Sequence, residues 1–117
     1  MYGEIICDGC HSTPAALNNY FMSKGPDYSI MISDALMAKG TPVGSKYIFG
    51  GNEIVIYPDG SAHLTSTGGL AGSTLNINKG LKILVEDAMV PFNYALNACT
   101  INPARCLHLD DRKGSIQ

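Results

Sequence analysis

Two polar side chains occupy positions where α/β proteins usually carry their chemistry. His11 follows an apolar run at residues 4–7, and Asp34 follows a second apolar run at residues 28–33. If both runs are strands of a parallel sheet, the imidazole and the carboxylate lie at its carboxyl edge, where such folds bind and transform ligands. Taken alone, an aspartate there more often caps a turn, and a histidine more often makes a loop contact.

Four cysteines offer a different kind of chemistry. Cys7 and Cys10 form a CxxC pair, which is compatible with zinc or redox chemistry. A structural zinc site needs a second pair of ligands, and the spacing of Cys99 and Cys106 does not supply one. Because Cys7 ends an apolar run, we interpret these residues as small buried hydrophobic side chains.

Other candidates have simpler interpretations. Asp8 is expected to cap a turn or to hold His11 rather than to act as a second acid. The glycine-rich segment 68–72 lacks the spacing of a dinucleotide fingerprint. Arg105 is expected to form a structural ion pair rather than to bind phosphate. His63 and His108 are expected to face solvent.

The elements that must position His11 and Asp34 form a βαβ unit. Between the two apolar runs, Thr13 and Pro14 predict the start of a helix and Gly25 predicts its end, which gives a helix at residues 14–24. Further along, alternating residues and the turn at residues 58–60 predict an antiparallel hairpin within residues 46–66. A period of 3.6 predicts a helix at 75–89, and another at 91–101 that Asn102-Pro103 breaks.

Composition narrows the class of protein. A net charge of -2 without a basic run argues against nucleic acid as a partner. No apolar run approaches the ~18 residues of a membrane span, and the N-terminus does not resemble a signal peptide. With cysteines that show no disulfide framework, these features predict a cytoplasmic protein with no membrane partner.

Several stretches together resemble one family. They are Asp8-Gly9-Cys10-His11 before a proline-started helix, Ser33-Asp34-Ala35, Leu70-Ala71-Gly72-Ser73-Thr74-Leu75, Asn102-Pro103-Ala104-Arg105, and the ending from Leu109 to Ile116. In this order they are similar to the C-terminal third of N-acetylglucosamine-6-phosphate deacetylases, which belong to the amidohydrolase superfamily.

The resemblance implies an α/β fold, the C-terminal part of a (β/α)8 TIM barrel. Residues 1–45 would be a barrel βαβ segment with the last two strands, and residues 46–67 an inserted antiparallel β-hairpin element. Residues 68–117 would be the last barrel helices and the tail. At 117 residues, the chain is about half of the ~250 residues that such a barrel needs.

The resemblance also implies roles for individual residues. Asp34 matches the catalytic aspartate, which exchanges protons with the attacking water and the departing amine. His11, Leu70, Ala71 and Gly72 match substrate-binding positions. The implied reaction removes acetate from N-acetylglucosamine 6-phosphate with the help of a divalent metal, often zinc. The implied partners are this amino-sugar phosphate and further copies of the chain in a homo-oligomer.

One part of the family pattern is absent. The family's metal ligands, a glutamate and two histidines, precede the first matching motif, so we expect no metal ligands in this chain. The sequence therefore predicts a fragment of an amide hydrolase, inactive when isolated. Two alternatives stay open: a non-catalytic module that self-associates, and another amidohydrolase of dihydroorotase-like or aminoacylase-like specificity.

Overall fold

The fold is α/β, with one parallel and one antiparallel sheet. A computed structural model describes residues 1–116. The strands are β1 (Gly3–Ile6), β2 (Ser29–Ile32), β3 (Lys46–Phe49), β4 (Asn52–Ile56) and β5 (Ala62–Leu64). The α-helices are α1 (Pro14–Lys24), α2 (Ile77–Lys82), α3 (Phe92–Cys99) and α4 (Ile101–Cys106), and a π-helical turn, Ile83–Asp87, follows α2.

The chain forms two compact units. The helical unit comprises Met1–Ile32 and the residues from Ile77 onward, and the sheet unit comprises Ser33–Asn76. These divisions differ from the three segments 1–45, 46–67 and 68–117 expected from the sequence. The final residue of that third segment, 117, lies outside the described residues.

The predicted βαβ arrangement is confirmed in the helical unit. β1 and β2 pair in parallel from Gly3 opposite Ser29 to Ile6 opposite Ile32. Between them, α1 has the predicted bounds because residues at its two ends cap the helix. The Thr13 hydroxyl accepts from the Ala16 amide at 3.2 Å, and Gly25 ends the helix with φ +84°.

Side chains from both halves of the helical unit share one core. Leu17 and Phe21 of α1 are fully buried there, and Tyr20 packs at the edge. The core is completed by Cys7, Met31, Leu84, Ala88, Val90, Ala95 and Ala98.

The second half of this unit departs from the predicted helices. The single helix expected at 75–89 is a short α2 followed by the π-helical turn, in which the Ala88 amide reaches the Ile83 carbonyl at 2.9 Å. The predicted break at Asn102-Pro103 was wrong: the interruption lies at Thr100, and Pro103 is inside α4. Pro103 is tolerated because amides in the first helical turn have no intrahelical acceptor.

The sheet unit is a three-stranded antiparallel meander, one strand more than the predicted hairpin. β3 and β4 join through Gly50-Gly51, whose φ angles of 58° and 81° suit a two-residue hairpin loop. β4 and β5 join through the predicted turn at 58–60, closed by the Gly60 amide on the Tyr57 carbonyl at 2.8 Å. The small core of the sheet unit consists of Ala38, Ile54, Ile56 and Ala62.

Within residues 1–116, the helices are all too short or too polar to cross a membrane.

Asn102 ties α4 to the loop before β2. It is fully buried, and its amide nitrogen donates to the carbonyls of Pro26 at 2.8 Å and Ser29 at 2.9 Å. Asn97 reaches the same Pro26 carbonyl at 3.4 Å from a less buried position. The two asparagines therefore form a matched pair for testing this link.

We expect Asn102→Ala to lower the free energy of unfolding by about 2 kcal/mol, because the Ser29 carbonyl loses this donor and the Pro26 carbonyl keeps only the long hydrogen bond from Asn97. Asn97→Ala is the control and should cost less than half as much, since its hydrogen bond is long. Urea unfolding monitored by circular dichroism measures both. Equal losses in the two variants would contradict this role for Asn102.

Candidate active site

His11 is held in a fixed orientation by Asp8. The His11 Nδ1 atom lies 2.7 Å from Asp8 Oδ2, and the Asp8 Oδ1 atom accepts the amides of Cys10 at 2.8 Å and His11 at 2.9 Å. Both side chains are largely buried, with 24% of His11 and 13% of Asp8 exposed. Because an ionised carboxylate only accepts, Nδ1 carries a proton and Nε2 remains available to a ligand.

The same contacts set the ionisation of Asp8. Burial opposes its negative charge, but the His11 and Cys10 amides and the His11 ring together outweigh burial and lower the Asp8 pKa. Asp8 is therefore a carboxylate that orients an imidazole. This agrees with the expectation that it holds His11.

The neighbouring cysteines do not form a reactive pair. Cys7 is fully buried, and burial, followed by the charges of Asp8 and Cys99, raises its pKa to about 12. A thiol with that pKa stays protonated, and protonated thiols are poor nucleophiles and poor ligands. Cys10 is exposed. The interpretation of Cys7 as a buried hydrophobic side chain is confirmed.

Asp34 lies at the start of the sheet unit in a left-handed conformation, with φ +48°. Its side chain is exposed, while its backbone is fixed by Ser73. The Ser73 amide donates to the Asp34 carbonyl, and the Leu36 amide donates to the Ser73 carbonyl, both at 2.9 Å. The Ser73 hydroxyl also donates to the Ser33 carbonyl. The sequence motif contains Ser73, but its role as the clamp on Asp34 was not predicted.

Leu70, Ala71 and Gly72 run from β5 towards the Asp34 loop. Leu70 pairs with His63 in an antiparallel bridge, and the Ala71 amide donates to the Ala62 carbonyl at 3.0 Å. Gly72 has φ +59°, and a Cβ atom there would lie 2.8 Å from Leu36 Cγ and 3.2 Å from the Asp34 carbonyl oxygen.

The sheet unit contains four of the five predicted site residues, Asp34, Leu70, Ala71 and Gly72, and of these Gly72 lies against the Asp34 carbonyl. The fifth, His11, belongs to the helical unit, where β1 and β2 place their carboxyl ends side by side.

The described side chains do not form a complete metal site. Across residues 1–116, no three histidine, cysteine, aspartate or glutamate side chains converge closely enough to hold a metal ion. These residues therefore do not fit a metal site by themselves. Arg105 forms a long surface ion pair with Asp27 at 3.9 Å, which matches its expected structural role.

Comparison with known proteins assigns the family. Residues 4–117 match the model of the amidohydrolase family. The chain belongs to the amidohydrolase family. It is 38% identical over 97% of its length to N-acetylglucosamine-6-phosphate deacetylase of Bacillus subtilis (strain 168), and 34% identical over 97% to N-acetylgalactosamine-6-phosphate deacetylase of Escherichia coli O157:H7.

One solved deacetylase structure is similar to the fold of this chain. It is a variant of N-acetyl-D-glucosamine-6-phosphate deacetylase from Mycobacterium smegmatis in complex with N-acetyl-D-glucosamine 6-phosphate, with a TM-score of 0.84 and 29% identity over 93% of this chain. The chain spans 28% and 29% of the length of the two curated relatives and 29% of this structure.

Gly72→Ala tests the close approach of residue 72 to the Asp34 loop. We expect a loss of about 1–3 kcal/mol in the free energy of unfolding, because alanine is strained at this φ and its methyl group would displace Leu36. Gly69→Ala is the matched control, since a Cβ atom there meets only the Thr67 hydroxyl at 3.3 Å. Thermal unfolding that is equally affected in both variants would refute the argument.

The low pKa of Asp8 predicts an acid-sensitive contribution to stability. Because the folded pKa lies below the ordinary 3.8, ionised Asp8 stabilises the fold above that pH, and this contribution is lost as pH falls through the folded value. The free energy of unfolding should therefore fall less between about pH 6 and about pH 3 in Asp8→Asn than in the unmodified chain. Identical pH dependence would show that Asp8 contributes nothing.

Proposed function

We propose that the chain is part of a metal-dependent amidohydrolase that removes acetate from N-acetylglucosamine 6-phosphate to give glucosamine 6-phosphate. The observation that carries the proposal is the 38% identity to the Bacillus subtilis deacetylase across 97% of this chain. Support also comes from the likeness to the Mycobacterium smegmatis structure, whose complex contains that sugar phosphate.

Asp34 is the proposed proton-transfer group. Amide hydrolysis needs a base that accepts a proton from the attacking water and an acid that delivers one to the departing nitrogen, since an unprotonated amine leaves poorly. One carboxylate can do both in succession. The side chain of Asp34 is exposed, while hydrogen bonds with Ser73 restrain its backbone. The carboxylate can therefore approach a ligand from a backbone that is held in place.

His11 and the Leu70–Gly72 segment are the proposed substrate contacts. With Nδ1 engaged by Asp8, His11 presents Nε2 as its free ring nitrogen, suited to a hydrogen bond with the sugar or the amide carbonyl. Leu70, Ala71 and Gly72 would contact the substrate through backbone groups and shape, as the resemblance implies.

The proposed metal is divalent, with zinc as the first candidate, as the resemblance implies. Such an ion polarises the amide carbonyl and activates water when bound. Residues 1–116 contain no group of three side chains that could hold this ion. β1 and β2 would be the last two strands of a (β/α)8 barrel, and the homo-oligomer and the cytoplasmic location stay predictions.

A second candidate substrate follows from the comparisons. The 34% identity to an N-acetylgalactosamine-6-phosphate deacetylase favours testing the epimeric sugar. A dihydroorotase-like or aminoacylase-like activity has no such support. Acetate release from the two sugar phosphates, measured side by side on the complete protein that contains these residues, decides between them.

We expect Asp34→Asn to lower kcat of the complete protein by about 10³-fold, because asparagine cannot exchange the two protons. Asp27→Asn, at an exposed carboxylate in a weak ion pair, is the control and should retain full activity. A coupled acetate assay measures both. Normal turnover by Asp34→Asn would refute the role of Asp34, and assay of the 117-residue chain tests the prediction that it is inactive when isolated.

A further inference from the structure

A chain of hydrogen bonds runs from the turn after β4 to the glycine-rich loop. Asp59 Oδ1 accepts from the Ser61 amide at 2.9 Å and from the Ser61 hydroxyl at 2.5 Å. Ser61 Oγ also lies 2.8 Å from His63 Nε2, and His63 Nδ1 lies 2.7 Å from the Gly68 carbonyl oxygen. Tyr57 stacks on the His63 ring with centroids 3.8 Å apart and an interplanar angle of 12°.

His63 was predicted to face solvent and instead is half-buried within this network.

The available protons determine the charge of the His63 ring. Ser61 has one hydroxyl proton, and the short contact with the Asp59 carboxylate uses it. Ser61 Oγ can then only accept from His63 Nε2. The Gly68 carbonyl also can only accept, so Nδ1 must donate as well. This arrangement of acceptors calls for a donor at each ring nitrogen, which is the hydrogen-bond pattern of an imidazolium.

The surroundings of the ring are consistent with this charge. The turn at 57–61 contributes Asp59 and Tyr57, and β4 contributes the uncharged Val55 opposite His63. The loop at 68–70 contributes only backbone and Leu70. The Ser61 hydroxyl and amide, with the His63 charge in support, lower the pKa of Asp59, so this carboxylate is the counter-ion.

We propose that the imidazolium of His63 is a positioning residue for the substrate segment. It binds the Gly68 carbonyl, and the next residues are paired to β5: the Gly69 carbonyl accepts the Leu64 amide at 2.8 Å, and the Ala71 amide donates to Ala62 at 3.0 Å. The ring thus holds one end of the Leu70–Gly72 segment, while the Ser73 contact with Asp34 holds the other. This inference rests on the proposed function for its assignment of Leu70–Gly72 to substrate binding.

Loss of a proton from His63 breaks the network. A neutral ring that keeps its Gly68 hydrogen bond turns the Nε2 lone pair towards Ser61 Oγ. Ser61 must then either leave Asp59 to donate to the ring or face the lone pair without a proton. Either outcome removes a hydrogen bond and loosens the loop that precedes Leu70–Gly72.

The first test uses the 117-residue chain and needs no activity. Long-range ¹H–¹⁵N spectra of the folded chain should show protons on both His63 ring nitrogens, and Asp59→Asn should remove one of them, because the counter-ion is lost. A single protonated nitrogen in the unmodified folded chain would overturn the inference.

Amide hydrogen exchange tests the link to the loop. His63→Phe, which keeps an aromatic ring beside Tyr57 but removes both ring donors, should lower the protection factor of the Ala71 amide about tenfold. The Ile56 amide, bonded to the Ser45 carbonyl at 3.1 Å on the far side of the sheet, is the internal control and should keep its protection. Equal change at both amides would indicate general destabilisation and overturn a local role.

The final test separates positioning from folding in the complete protein. His63→Gln should raise KM about tenfold with kcat within about twofold, whereas His63→Arg, which keeps the charge and donors and can stack on Tyr57, should restore KM. Failure of arginine to rescue, or a fall in kcat alone, would overturn the inference. If the unmodified protein releases no acetate, the proposed function fails instead, and the ring-proton spectra still decide the state of His63.

Discussion

The two ends of the sheet unit are joined by a short set of backbone hydrogen bonds, and the candidate site depends on them. The Ser73 amide and carbonyl bind the Asp34 carbonyl and the Leu36 amide, both at 2.9 Å. Ser73 is buried, whereas the Asp34 side chain is exposed. The backbone under the carboxylate is therefore fixed while the carboxylate itself remains accessible, which a proton-transfer group requires.

This clamp also explains the glycine at position 72. The left-handed backbone of Asp34 brings its carbonyl to within 3.2 Å of where a Cβ atom of residue 72 would lie. Only a residue without a side chain allows that approach at φ +59°. The left-handed conformation of Asp34 therefore requires a glycine at position 72.

Two histidines pair with carboxylates in opposite ways. Asp8 contacts His11 directly and engages one ring nitrogen, so the other is left for a ligand. Asp59 reaches His63 through Ser61, and both His63 nitrogens are engaged by protein acceptors. A ring with no free nitrogen cannot transfer protons to a substrate, but it can hold a loop. Hydrogen-bond partners, rather than residue type, separate a candidate ligand-binding histidine from a positioning one.

Local sequence was sufficient to predict the elements whose ends are fixed by residues close to them in the chain. The bounds of α1 followed from Thr13, Pro14 and Gly25, since a hydroxyl cap, a proline and a glycine act within one turn. The parallel pairing of β1 and β2 followed from two apolar runs around that helix. The same local logic gave a wrong break at Pro103, because proline ends a helix only beyond its first turn.

The sequence by itself determined the βαβ element, the turn at 58–60 and the motif that carries the family resemblance. Tertiary structure alone decided the left-handed backbone of Asp34, the clamp by Ser73 and the engagement of both His63 nitrogens. Ser33 and Ser73 are 40 residues apart, and Asn102 and Ser29 are 73 apart. Contacts over such separations form only when packing offsets the entropy of closing the intervening chain, and no local pattern encodes that balance.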